Sequence, residues 1–422
     1  MVLKEEQYRA LCEVCDSVLR ESYMTRECVA IPWLHVIRGH PILLMKYEDL
    51  FKPSRISRLI FNRLFRRIYT KAVWFRQVVR SLLSDGQRWV GPKELPSNVD
   101  VLFVSHLLNP SQAGQPDDFY FGGLPNELVA RGQSVLILLI NHTNQPASSF
   151  ADKWKGSSVP RAILSVSLRF REEVSLHRQM KKESLRLRTI AKREAPGLGR
   201  SVLVRASEEA LSSGSLTTIR IAEQVAALVA KLRTKTIIVT YEGHAYEKII
   251  FAAARSVQPH VQCIGYQHSA LFRLQHAIQR NLTQEYNPDH ILTAGTVSKE
   301  QLGHAKDLEG IPISVLGSHR SLKGAYPSAD NLMHPDQSDH SVNPACLVLP
   351  EGIASECHLL FEFSLACARI FPDVQFIWRL HPLVTFQSLA KQNSKLRKLP
   401  GNILISHATL QKDIARCNWA LY

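Results

Sequence analysis

Short runs of apolar residues alternate with longer amphipathic stretches between residues 98 and 320. The short runs have the length of buried strands, and the stretches repeat their apolar residues every three or four positions, as helices do. Strands that alternate with helices predict a parallel sheet covered on both faces, and therefore an α/β fold. The predicted strands lie within residues 99–106, 134–142, 161–168, 236–243, 261–269, 289–295 and 313–320.

A second, shorter run of the same alternation covers residues 345–422. The polar, turn-rich residues 321–344 separate the two runs and predict a linker. We therefore expect two Rossmann-like parallel-sheet domains, residues 98–320 and residues 345–422, with a cleft between them. The second has only about 80 residues, fewer than the ~100 typical of a doubly wound domain, so we expect the C-terminal domain to be incomplete.

Residues 1–97 predict a basic helical region ahead of the first sheet. Within it, residues 51–83 hold nine lysines and arginines, no acidic residue, and aromatic and aliphatic residues at helical spacing. Such a helix can lie on an anionic membrane surface. It can equally pack on the next domain with its arginines in water, and both interpretations stay open. No nucleic-acid-binding signature appears, so we expect no nucleic acid partner.

The composition narrows the class of protein. The 422 residues carry a formal net charge of +15, which favours an anionic partner. Eight cysteines are scattered, mostly within apolar runs, as reduced thiols are in cytosolic proteins. The N-terminus has no signal-peptide pattern, and no uncharged apolar run reaches the ~18 residues that a transmembrane helix needs. We expect a cytoplasmic protein, soluble or peripheral at the inner face of the cytoplasmic membrane.

Polar residues follow the predicted strands of both domains. Ligands of open α/β sheets bind outside the carboxyl ends of the strands, so we expect these side chains to face the cleft. A lone histidine at such a place is most often structural, and the repetition at several strand ends is what favours a site. The residues concerned are His106, Glu242, His244, Gln267, His268, Glu351 and His381.

Glu242 stands where the strand TIIVT becomes a helix, in the sequence Tyr241-Glu242-Gly243-His244. Gly243 permits a sharp turn, and neighbouring helix amides would lower the pKa of Glu242. An ionised carboxylate in the cleft can deprotonate a sugar hydroxyl as a general base. The alternative is that Glu242 only caps the helix that follows, because carboxylates stabilise helix N-termini.

The sequence RLHP ends the second strand of the C-terminal domain. Arg379 and His381 are two residues apart, so on a strand their side chains share a face, and Pro382 ends the strand. A histidine that donates to phosphate oxygens near helix amides makes a phosphate site. At the end of LPEG, Gly352 precedes a helix and Glu351 can face a reacting sugar.

Several common site motifs are missing from the sequence. There is no P-loop, and no GxGxxG follows the first strand of either domain, which argues against a dinucleotide oxidoreductase. No HExxH or paired CxxC indicates zinc, no GxSxG indicates a hydrolase, and no DxD run indicates a bound divalent ion. We therefore expect neither a metal nor a cofactor.

The motifs YEGHAYEKIIFAAAR, GYQHS, LPEG and FIWRLHP together resemble those of bacterial surface-carbohydrate biosynthesis proteins, over roughly residues 99–422. These are GT-B glycosyltransferases related to the CMP-Kdo and CMP-sialic acid transferases. The resemblance implies that Glu242 is the catalytic acid or base and that His381 and Pro382 bind the donor phosphate. It places Glu351 where retaining relatives use a nucleophile. Tyr241 departs from the family, which has an acid there.

The function implied is transfer of an acidic sugar, Kdo or sialic-acid-like, from a CMP-activated donor to a lipid-linked or polysaccharide acceptor of the bacterial surface, such as lipopolysaccharide or capsule. CMP leaves without the metal that diphosphate leaving groups often need. Alternatives are a CDP-polyol phosphotransferase, a transferase of another nucleotide sugar, and a non-catalytic carbohydrate-assembly protein.

Overall fold

The structure is a computed structural model. It describes the chain except residues 1–2, 21–23, 52–55, 84–85, 93–94, 144, 151, 319–343, 351 and 382–383, and it omits the side chains of residues 41, 42, 56–67 and 411. The chain divides into two compact units, Met1–Ser321 and Leu322–Tyr422. The boundary falls within the predicted linker, most of which lies outside the described residues.

The first unit is built on one sheet of eight described strands in the order β1-β4-β3-β2-β5-β6-β7-β8. All neighbours are parallel except β1, which pairs antiparallel with β4 at one edge. From β4 to β7 the order is the 3-2-1-4-5-6 arrangement of Rossmann folds. The strands are β1 Trp89–Val90, β2 Val101–Leu107, β3 Val135–Asn141, β4 Arg161–Leu164, β5 Thr236–Thr240, β6 Gln262–Gln267, β7 His290–Thr293 and β8 Ile313–Val315.

Helices cover this sheet and extend to the N-terminus of the chain. The described helices of the first unit are α1 Glu5–Arg20, α2 Arg26–Val29, α3 Pro41–Leu44, α4 Ile56–Leu83, α5 Leu124–Ala130, α6 Phe170–Arg193, α7 Leu198–Glu209, α8 Ser213–Leu232, α9 Ala245–Val257 and α10 Thr296–Gly303. Seven predicted strands appear in their places, which confirms the α/β prediction. Helix α7 and strand β1 had not been predicted.

The second unit repeats the plan on a smaller scale. Its described strands form a parallel sheet in the order β11-β10-β9-β12, again a 3-2-1-4 arrangement. The strands are β9 Ala345–Val348, β10 Gln375–Trp378, β11 Ile403–Ile405 and β12 Trp419–Leu421, and the described helices are α11 Ala354–Ile370, α12 Phe386–Gln392 and α13 Leu410–Ala415. The prediction of two Rossmann-like parallel sheets is therefore confirmed.

The N-terminal helices share a core with the first sheet's helices. Leu11, Cys15 and Leu19 of α1 are fully buried in the cluster that also contains residues of α6, α7, α8 and α9. Residues 1–97 had been predicted as a region of their own, and the described part of them belongs to the first compact unit. Cys12 and Cys15, which form a CxxC in sequence, are buried free thiols in this core.

A buried ion pair ties α1 to a segment that lies far along the chain. Arg280, whose side chain is fully buried, donates to Asp16 Oδ1 at 3.0 Å. His276 lies at 3.0 Å from the same oxygen, and Arg280 also contacts His35 Nδ1 at 2.7 Å. Burial raises the pKa of Asp16, but His276 and Arg280 outweigh it and lower the value to about 2. The N-terminal region is thereby fixed to residues 276–280.

The substitution Asp16→Asn should leave the Arg280 guanidinium buried without its counter-charge. Removing one partner of a buried pair typically costs about 3–5 kcal/mol, so we expect a loss of about 3 kcal/mol in urea denaturation at pH 7. Because the folded-state pKa is lowered, the difference from wild type should vanish as the pH falls through about 2. Glu5→Gln, which removes an exposed pair with Arg9 and Arg273, is the control and should change little. Equal effects of the two substitutions would contradict this.

Candidate functional site

The candidate site of the first unit lies at the carboxyl ends of β2, β3, β5 and β6. Strands β3 and β4 follow β2 on one side of it, whereas β5 and the later strands lie on its other side. The strand order therefore reverses between β2 and β5, and open α/β sheets bind ligands at such a point. His106 lies near the end of β2, and His142, Glu242 and His268 lie on the loops after β3, β5 and β6.

His106 is the centre of a hydrogen-bonded group beneath this edge. Its Nδ1 lies 2.9 Å from Nε2 of His142, and its Nε2 lies 3.0 Å from the Thr240 hydroxyl and 3.1 Å from the Tyr246 hydroxyl. The side chain is buried, and burial followed by the charges of neighbouring histidines lowers its pKa to about 3. His106 is therefore neutral at physiological pH and joins β2, β3 and β5 by uncharged hydrogen bonds.

The turn between β5 and α9 is held by Glu247, which is fully buried. Its carboxylate accepts from the backbone N–H groups of Glu242 at 3.0 Å, Gly243 at 2.7 Å and His244 at 2.8 Å. The Tyr246 hydroxyl donates to the same carboxylate at 3.1 Å. Burial nevertheless raises the pKa of Glu247 to about 7. The acid that caps the helix is thus Glu247, so the alternative role for Glu242 as a cap is wrong.

Gly243 makes the turn possible. Its φ is +89°, and a Cβ at this position would lie 2.3 Å from the backbone carbon of Ala277 and 2.4 Å from the nitrogen of Ile278. Any side chain would therefore be strained and would collide with backbone. Tyr241, on the other side of Glu242, is buried with its ring against Gly265 and its hydroxyl accepting from Lys248 at 2.6 Å. Tyr241 is therefore part of the hydrophobic core.

Glu242 and His244 form a pair at the mouth of the site. Oε2 of Glu242 lies 3.4 Å from Nε2 of His244, and the Ser269 hydroxyl donates to Oε1. The side chains are 19% and 39% exposed, so both are held by the protein and both reach solvent. The structure brings together His106, His244, His268 and Glu242, as the strand-end argument had predicted.

The pairing lowers the pKa of Glu242 and raises the pKa of His244. Burial raises the pKa of Glu242, but the hydrogen bonds from His244 and Ser269 outweigh it and lower the value to about 2. Burial lowers the pKa of His244, and its hydrogen bond to Glu242 and the charge of Glu247 raise it above the ordinary value on balance. The predicted cause, helix amides acting on Glu242, is wrong because Glu247 accepts from those amides.

Tyr120, on the loop after β2, contacts the histidines of the site. The buried carboxylate of Asp118 accepts from the backbone N–H of Tyr120 at 2.8 Å and of Phe121 at 2.9 Å, and from the Ser105 hydroxyl at 2.8 Å. These bonds fix the loop so that Tyr120 meets His268 edge-on, with ring centroids 4.6 Å apart. The loop therefore supplies one wall of the site.

In the second unit, the predicted phosphate site is partly described. A Cβ on Gly352 would lie only 2.7 Å from Nδ1 of His381, so glycine leaves room for the imidazole where β9 and β10 end. Arg379 instead directs its guanidinium to the buried Asp413 at 2.7 Å and to the Ala408 carbonyl at 2.6 Å. Glu351 and Pro382, which were predicted to act beside them, lie outside the described residues.

Neither a metal-binding cluster nor a membrane-spanning helix is found in the described parts of the chain. No three or more His, Cys, Asp or Glu side chains are grouped there as metal ligands. None of the helices there is long and apolar enough to cross a bilayer. The chemistry that the described site offers is acid–base chemistry by carboxylate and imidazole and hydrogen bonding by hydroxyl groups.

Sequence reasoning missed four residues that shape the site. His142 directly follows strand β3 and satisfies the strand-end criterion that identified His106. Glu247 stands three residues after His244, which is the spacing of a capping box. Ser269 and Tyr246 had no such signal, because their contacts with Glu242 and His106 depend on how separate parts of the fold meet.

Gly243→Ala should destabilise the protein more than Gly310→Ala. Both glycines have positive φ, +89° and +87°, but a Cβ on Gly310 meets nothing within 4 Å. We expect a loss of about 1 kcal/mol for Gly310→Ala from backbone strain. The loss for Gly243→Ala should be at least about 2 kcal/mol larger because backbone atoms must move. Urea denaturation measures both, and equal losses would show that the turn tolerates a side chain.

The pKa of His244 should fall when Glu242 is replaced by Gln, because burial then acts with less opposition. NMR titration of ¹³C-labelled histidines, with the His244 signal assigned by its loss in His244→Gln, measures this directly. The wild-type signal should titrate above the ordinary pKa of about 6.5. As a control, replacing the exposed residue Glu309 by Gln should leave the pKa of His244 unchanged. An unchanged His244 pKa in Glu242→Gln would refute the pairing.

No family model and no curated protein matches this chain. Forty chains of solved structures do. One is a UDP-GlcNAc 2-epimerase from Methanocaldococcus jannaschii, which is 12% identical over 76% of this chain and 77% of that chain, with a TM-score of 0.43. Another is a UDP-GlcNAc 2-epimerase from Neisseria meningitidis bound to UDP-GlcNAc, which is 12% identical over 75% of this chain and 74% of that chain, with a TM-score of 0.41. A trehalose-phosphate synthase from Burkholderia vietnamiensis is similar as well, with 13% identity over 76% of this chain and 75% of that chain and a TM-score of 0.41.

Proposed function

We propose that this protein is a GT-B glycosyltransferase that moves an acidic sugar, Kdo or sialic-acid-like, from a CMP-activated donor to a bacterial surface-glycan acceptor, without a metal. It acts at the cytoplasmic side of the membrane, where lipid-linked acceptors are made. The observation that carries the proposal is the Glu242–His244 pair, which lies at the point where the strand order of the first sheet reverses.

The pair supplies the proton acceptor. The acceptor hydroxyl oxygen attacks the anomeric carbon of the donor sugar, the new C–O bond forms, and the bond to the CMP phosphate breaks with its electrons leaving on CMP. A carboxylate with a pKa of about 2 is a weak base by itself. The imidazole of His244, whose pKa is raised by the carboxylate, holds the proton after transfer, and Glu242 stabilises the imidazolium.

The second unit supplies the donor phosphate site in this proposal. His381 donates to a phosphate oxygen, and Gly352 allows the phosphate and the imidazole to approach the backbone closely. In this proposal Arg379 has a positioning role, because its guanidinium pairs with Asp413 at 2.7 Å and donates to the Ala408 carbonyl. Glu351 remains a proposed nucleophile only for a retaining, double-displacement course, which an inverting enzyme does not need.

A thermal-shift panel of CMP, CDP, UDP and GDP tests the donor class. A ligand that binds the native state raises Tm by mass action, and we expect CMP to give the largest shift at equal concentration. His381→Ala should abolish the CMP shift. His358→Ala replaces a histidine on the outer helix α11 and should leave the shift unchanged. A shift by UDP and not by CMP would overturn the CMP assignment, and no shift by any nucleotide would favour a non-catalytic assembly protein.

Turnover separates the remaining alternatives. Wild type should consume CMP-Kdo or CMP-sialic acid with a glycan acceptor. CDP-glycerol turnover would instead indicate a polyol phosphotransferase. Glu242→Gln and His244→Gln should each lower kcat by at least about 100-fold while the CMP shift persists, because general base catalysis contributes about 10²–10⁴-fold. Full activity of Glu242→Gln would refute the catalytic pair, with Glu309→Gln as the matched control.

A further inference from the structure

Helix α4 packs one of its faces against helix α6 of the same unit. Trp74 stacks on His177 of α6, with ring centroids 4.1 Å apart. Gln77 donates to Glu173 at 3.1 Å, and Glu173 is itself buried in an ion pair with Arg220 of α8. Ser81, one turn further on, is buried as well. These contacts fix which side of the helix faces outward.

The outward face of α4 carries a continuous apolar stripe. Phe75 is 69% exposed and Leu82 is 62% exposed, and the other members of the stripe are exposed too. Their positions follow a spacing of three, four or seven residues, so they line up along about 20 Å of helix. The stripe consists of Ile68, Ala72, Phe75, Val79 and Leu82.

Basic residues flank this stripe on both sides. Lys71 lies on one side, and Arg76 and Arg80 lie on the other, and all three are exposed. None of them forms an ion pair with any residue that the structure describes. Burial, followed by the charges of Arg76 and Arg220, lowers the pKa of Arg80, as expected where basic side chains lie near one another. The sequence of the preceding turns, residues 56–67, adds four arginines and no acid.

We propose that the exposed stripe of α4 with its flanking basic residues docks the protein on an anionic lipid bilayer, with the helix lying in the plane of the interface. Apolar side chains at the centre enter the boundary between headgroups and acyl chains, and the long basic side chains beside them reach the lipid phosphates. An acidic protein surface would match the charges but would leave a stripe of aliphatic and aromatic side chains opposite carboxylates. The combination therefore favours lipid.

Vesicle flotation tests the proposal with the full chain and requires no activity, so its result is independent of the proposed sugar transfer. Wild type should float with vesicles of phosphatidylcholine and phosphatidylglycerol (7:3) and should not float with phosphatidylcholine alone. High salt should weaken the binding, because exposed charges are screened.

A matched pair of double substitutions separates this stripe from general hydrophobicity. Phe75→Ser with Leu82→Ser should lower the partition coefficient by about tenfold or more. Phe363→Ser with Leu359→Ser removes the same residue types, which are also exposed (56% and 69%), from α11 of the second unit and should leave binding unchanged. Arg76→Gln with Arg80→Gln should reduce binding to the anionic vesicles by about 30-fold, since each of the two basic residues near such a surface contributes about 1 kcal/mol. The Tm of each variant is measured to confirm folding.

Three outcomes would overturn the proposal: no flotation of wild type with anionic vesicles, equal losses for the two Phe/Leu pairs, or full binding by both α4 variants. If α4 captured an acidic protein but wild type did not float with anionic vesicles, the proposal would also be overturned.

Discussion

The candidate site depends on one buried carboxylate. Glu247 accepts from three consecutive backbone N–H groups, and these belong to Glu242, Gly243 and His244. The backbone between β5 and α9 is thereby held in a turn that only glycine allows at its centre. Glu242 is freed from capping the helix and points its carboxylate to His244 and Ser269. One acid supports the turn so that another can meet a ligand.

A second contact extends this support across the sheet. The Tyr246 hydroxyl donates to Glu247 and also lies 3.1 Å from His106, which belongs to the neighbouring strand. The turn after β5 and the end of β2 therefore form a single polar group at the point where the strand order reverses. Neutral, buried His106 belongs to a supporting layer of the site, and the partly exposed Glu242–His244 pair belongs to a layer that reaches solvent.

Much of the fold was readable from the sequence because buried parallel strands are nearly continuous apolar runs. The ends of these apolar runs mark the ends of β2, β5 and β6, and they therefore also predicted the positions of His106, Glu242, His244 and His268. The role of Glu247 was not recognised, because a glutamate inside a helical pattern looks like an ordinary exposed residue. The pairing of Arg379 with Asp413 was unreadable as well, since 34 residues separate the two and only the packed unit brings them together.

The Asp16–Arg280 pair has a consequence for how the chain is made. The segment that packs on Gly243, residues 277–278, adjoins Arg280, so helix α1 and the site turn rest on the same stretch of chain. The two charged partners are 264 residues apart in sequence. At roughly 5–20 residues per second, a ribosome takes on the order of 10–60 s to cover that distance. Throughout that interval the buried face of α1 lacks its ion-pair partner, so α1 is secured only after most of the later described helices of the first unit have been synthesised.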